Sequence, residues 1–91
     1  MTDEIALRLE VDRAARAQAL VNDELLADAF AKLRTEYQAA WLNTGARDTD
    51  ARERLWQGLK VVEKVEDHLK RIISDGAVAR REIQQLEQMG R

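Results

Sequence analysis

Two runs of apolar residues, spaced four and three apart, flank a single polar stretch, and no other feature of the chain constrains its fold as tightly. Before Asn43 the run is Leu26, Phe30, Leu33, Tyr37 and Ala40; after Asp50 it is Leu55, Leu59, Val62, Val65, Leu69 and Ile72. A repeat near 3.5 residues puts each run on one side of an α-helix. Two such helices joined by a short polar link bury their seams by folding back on each other. The pattern therefore predicts an antiparallel helical hairpin with its core at Leu26, Phe30, Leu33, Tyr37, Leu55, Leu59, Val62, Val65, Leu69 and Ile72.

Composition supports an all-α fold. The 91 residues contain no proline, which costs about 3 kcal/mol inside a helix and is common in the turns of all-β chains. With 45% hydrophobic and 35% charged residues, the chain reads as one small helical domain. Within it, 1–21 is an N-terminal helix or arm, 22–75 the hairpin, and 76–91 either an extension of the last helix or a short fourth one.

The first segment, from about Asp3 to Val21, is rich in alanine, leucine and arginine and helical by propensity. Its apolar residues divide between two sides: Ile5, Leu9 and Leu20 on one, Leu7, Val11, Ala14 and Val21 on the other. Such a helix is covered on two sides in an assembly or attached loosely as an arm. Asn22, Asp23 and Glu24 resemble a helix start, with a capping side chain and acids in the first turn, but could also lie inside one longer helix. The second segment, about Asp23 to Asn43, carries Leu25, Leu26, Ala29, Phe30, Leu33, Tyr37, Ala40 and Trp41 over about 160° of the helix circumference, wider than a two-stranded seam. It is expected to touch more than one neighbour.

Asn43, Thr44 and Gly45 are expected to end that helix, with glycine free to take a left-handed conformation. Asp48 or Thr49 then caps the next, and Asp50 and Glu53 fall in its first turn. This third segment runs from about Thr49 to Ser74, about 37 Å of helix. Gly76, after Ser74 and Asp75, has the character of a stop. Ala79, Ile83 and Leu86 nevertheless continue the seam in phase, so a continuous helix through Gln88 is equally consistent. Gly90 and Arg91 should fray.

Few residues offer chemistry. The absence of cysteine removes disulfides, thiol nucleophiles and thiolate metal sites and fits a reducing compartment. Thr2, Asp3 and Glu4 stand where a secretory signal would need an apolar run, and no membrane span is present; a cytoplasmic location is expected. There is no phosphate loop, paired-histidine motif or calcium loop. Asp48 and Asp50 are spaced as in some cation sites, but Ala51, Arg52 and Glu53 follow where more ligands and a turn glycine belong; helix capping explains them better. His68, the one histidine, lies at the edge of the stripe while Glu63, Glu66 and Asp67 point elsewhere, and Ser74 has no base in its segment. No catalytic, cofactor or metal site is expected.

Charge gives no general attraction to phosphate: fifteen basic residues oppose seventeen acidic ones. Arg8, Arg13 and Arg16, then Arg47, Arg52 and Arg54, then Arg80 and Arg81 form local clusters, with Asp12, Asp48, Asp50, Glu53 and Glu82 among them. Solvated helix surfaces laced with ion pairs account for this pattern; a nucleic-acid patch is the lesser alternative. The two tryptophans are more telling. Trp41 at the end of one helix and Trp56 at the start of the next come together near the hairpin loop. Trp56 projects about 60° beyond Leu59, the near edge of its own stripe. It either folds over the loop or, flanked by Arg52 and Lys60, belongs to an interface, where tryptophan is enriched. The candidate interface is Trp41, Trp56, Arg52 and Lys60.

A chain of about 90 residues buries only about 60 to 65% of its extended surface, and a bare hairpin less, so self-association as a helical dimer or ring is expected. The run Arg13 to Arg16, Leu25-Leu26, Phe30, Tyr37 and Trp41, then Arg52-Glu53, Leu55-Trp56, Val65, Leu69 and Gly76, resembles small uncharacterised helical proteins of bacteriophage and prophage head or DNA-packaging modules. The resemblance covers most of the chain and rests on helix-face residues. It implies virion assembly or DNA packaging, as an accessory protein or a small-terminase-like subunit with a helical oligomerisation core, found in host cytoplasm or virion. The chain departs from small terminases in having no helix-turn-helix unit and only dispersed basic residues, which argues against direct DNA recognition; no functional residue carries over. The leading reading is a non-enzymatic structural or adaptor protein that self-associates and docks on a larger assembly. The alternative is a small regulatory or inhibitory binding protein, in one version linked to nucleic acid.

Overall fold

The computed structural model describes residues 3–90; Met1, Thr2 and Arg91, the last expected to fray, lie outside them. Among the described residues there are three helices and no strand: α1 (Glu4–Val21), α2 (Glu24–Leu42) and α3 (Thr49–Met89). Local side-chain chemistry sets their ends. The Asp3 carboxylate accepts the Ile5 backbone N–H at 3.0 Å and starts α1. The Asn22 N–H returns to the Gln18 and Leu20 carbonyls and closes it. Asp23 then accepts the Leu26 N–H at 2.9 Å, opening α2. The stretch Asn22 to Glu24 is thus a junction between helices, with Asp23 as the cap.

One sequence expectation about glycine is corrected, and one left open between two courses is decided. Gly45 has no positive φ. Asn43 closes α2 in the right-handed region, φ −84° and ψ −6°, and the Thr44 hydroxyl donates to the Trp41 carbonyl at 2.6 Å, so the last turn needs no left-handed residue. Asp48 caps α3 through the Ala51 N–H at 3.2 Å. At Gly76 the helix takes the continuous course and runs on to Met89. A Cβ at Gly76 would overlap the Ala14 Cβ and lie 3.2 Å from the Glu10 carbonyl oxygen. This glycine allows two helices to approach closely, rather than ending one.

The chain forms two compact units, Met1–Asn22 with His68–Arg91, and Asp23–Asp67. In the first, α1 packs on the later part of α3. Leu7, Ala79 and Ile83 form a buried cluster with Val11 against it, and Ala17 is also buried. Of the two sides of α1, that of Leu7, Val11 and Ala14 turns inward, although Val21 at its end is exposed, while Ile5, Leu9 and Leu20 also stay exposed. Arg8 bridges Glu4 at 2.9 Å and Glu87 at 3.4 Å. Its hydrogen bond and attraction to Glu4, followed by its attraction to Glu87, hold the guanidinium above its ordinary range. Leu69 and Ile72, expected in the hairpin core, instead line a shallow groove with Ala17 and Leu20 of α1, because α3 here faces α1.

In the second unit α2 packs on the early part of α3, and none of the residues described there is fully buried. Leu26, Phe30, Tyr37 and Ala40 of α2 and Leu55, Leu59 and Val62 of α3 are half-buried. Leu33 and Val65, two further expected core residues, are exposed; Val65 sits at a stripe edge that one facing helix does not cover, while Leu33, near the middle of its stripe, is 39% exposed. Arg34 pairs with Glu66, the Tyr37 ring occupies the space a side chain at Gly58 would fill, and Arg52 lies over the Trp41 ring. Rising positions on α2 therefore meet falling positions on α3. No helix among the described residues is long and apolar enough to cross a membrane.

Candidate protein interface

The second unit carries an apolar groove of about 330 Å³ lined by Tyr37, Gln38, Trp41 and Leu42 of α2 and Leu55, Trp56 and Leu59 of α3. Four of its wall residues lie in the last turns of α2, and helix spacing aligns Tyr37, Trp41 and their neighbour Gln38 along one strip. Across from them Leu55 and Leu59 stand one turn apart with Trp56 on their outer side. Leu42 is 74% and Trp56 55% exposed, so the groove presents open apolar surface.

Two cations border it. The Arg52 guanidinium lies 4.2 Å from the centre of the Trp41 ring, and its Nε donates to the Thr44 hydroxyl at 2.8 Å. Thr44 in turn donates to the Trp41 carbonyl, so loop, helix end and tryptophan are linked through one hydroxyl. The Lys60 ammonium lies 5.5 Å from the Trp56 ring and 3.3 Å from a Glu63 carboxylate oxygen. Such stacking contributes about 0.5 to 1 kcal/mol at exposed sites, and it also holds both rings in place. The volume lies near the lower end of the range for ligand pockets, about 300 to 1,000 Å³, and suits a few apolar side chains.

All four candidate interface residues, Trp41, Trp56, Arg52 and Lys60, fall on or beside this groove. Trp56 is half exposed on the groove wall. Sequence reasoning missed Leu42 and Thr44. Leu42 falls outside the α2 stripe, and its adjacency to Trp41 was the available signal; the Thr44 to Arg52 bond joins a loop to a helix and has no periodic trace. His68 is exposed, and no group of three or more His, Asp or Glu side chains that could hold a metal gathers among the described residues. Comparison of the chain with family models, curated proteins and solved structures finds no match.

Proposed function

We propose that this chain is a non-enzymatic structural or adaptor protein whose α2 and α3 form an antiparallel hairpin, self-associate through helical packing, and dock on a larger assembly. The observation that carries the reading is the state of the second unit: its best-covered side chains are only half-buried while Leu25, Leu33, Leu42, Trp56, Val61 and Val65 are exposed. Apolar groups left in water each forgo about 1.5 to 3 kcal/mol of burial, and exposed apolar patches mark association sites. The opposed contact order of α2 and α3 supports the hairpin. The resemblance to phage head and packaging modules supplies a setting, virion assembly, for such a subunit.

Light scattering across a concentration series tests this reading. A fixed multiple of the 10.4 kDa chain mass is expected at micromolar concentration. A monomer throughout would reject self-association and favour the alternative of a small regulatory binder that keeps its apolar surface for a different protein.

A further inference from the structure

We propose that the tryptophan groove is occupied by the N-terminal turn of α2 from a second copy of this chain, with Leu25 as the inserted anchor. This rests on the self-association reading and names its surfaces. Leu25, in the first turn of α2, is 81% exposed. Around it stand Asp23, Glu24 and Asp28, and no cation follows before Lys32. Among the described residues none of these three carboxylates takes part in an ion pair. The groove has the opposite character: apolar walls and, beside them, Arg52, which contacts a hydroxyl and a ring but no carboxylate; Lys60 on its rim is already paired with Glu63.

One copy cannot satisfy itself. Leu25 and the groove lie at opposite ends of α2, about 25 Å apart at 1.5 Å per residue, and Trp41 projects about 160° around the helix from Leu25. The two surfaces differ, so the contact between copies is head-to-tail. Such contacts propagate into a ring or a filament instead of closing as a two-fold dimer.

Mixing two variants tests this. Trp56→Ala removes a groove wall and leaves the Leu25 edge; Leu25→Lys removes the edge and leaves the groove. Both positions are exposed, and circular dichroism checks that each variant keeps its helices. By sedimentation velocity, each variant alone is expected to dissociate at least about tenfold more readily than the native chain. An equimolar mixture should form a one-to-one pair, since each copy supplies what the other lacks. If the native chain associates and either variant keeps its affinity, or the mixture fails to pair, the head-to-tail contact is wrong while self-association stands. If the native chain never associates, both readings fall.

Discussion

At the scale of single residues, two glycines of α3 make opposite predictions from the same substitution. At Gly76 a new methyl would meet the Ala14 Cβ, which is fixed to backbone, and the Glu10 carbonyl oxygen at 3.2 Å. The helices must separate, and overpacking of this kind costs about 1 to 3 kcal/mol, only partly offset by the gain of about 1 kcal/mol in helix propensity. Gly76→Ala should therefore lower the urea midpoint. At Gly58 the methyl would meet the Tyr37 ring, 2.6 Å from Cε1 and 2.8 Å from Cζ, and a ring at the end of a side chain can swing aside. Gly58→Ala should change stability by no more than about 0.5 kcal/mol in either direction, propensity offsetting the displaced ring. Equal losses at both positions would mean that α1 does not hold Gly76 at close range. Leu7, only 6% exposed, gives a third test: Leu7→Ala should cost about 2 to 3 kcal/mol, whereas Ile5→Ala, at a 70% exposed position, should stay within about 0.5 kcal/mol. Urea unfolding followed by circular dichroism measures both.

At the scale of elements, the all-helical content and the three helices were the parts most legible in the sequence. Of the acids at Asp3, Asp23 and Asp48 only Asp48 was expected as a cap, since Asn22 was expected to cap α2 with Asp23 in its first turn; each of the three accepts a backbone N–H of the following turn. Asp23→Ala should therefore loosen the start of α2 and cost about 1 kcal/mol, seen as faster hydrogen exchange at Leu26 than in the native chain. The phase of Ala79, Ile83 and Leu86 with the earlier seam was a correct sign that α3 runs on, and Gly76 was ambiguous because a close crossing and a helix stop both favour glycine. The packing of α1 was harder to foresee. Ala14, Ala17 and Ala79 carry little hydropathy signal, yet small side chains are what let α1 approach α3, so the best-buried contacts left the faintest pattern. Leu69 and Ile72 were misplaced for the converse reason: periodicity shows that a residue belongs to a seam but not which helix faces it. The tryptophan groove was legible in outline, since Trp41 and Trp56 flank the link between two seams; its Thr44 connection was not.

At the scale of the whole molecule, the two units differ in how far their apolar side chains are buried. One has buried residues, Leu7, Ala17, Ala79 and Ile83, and the other has none among those described, with both tryptophans at its open groove. If copies complete each other there, association contributes to stability and unfolding must depend on concentration by mass action. The groove also supplies the probe, because Trp41 and Trp56 are the only tryptophans in the chain. The most direct test of the central claim is urea unfolding of the native chain, followed by tryptophan emission, across about two decades of protein concentration. The midpoint should climb with concentration, and native emission should shift to shorter wavelength as the groove is covered. A midpoint and an emission maximum that stay constant across the whole range would contradict that claim.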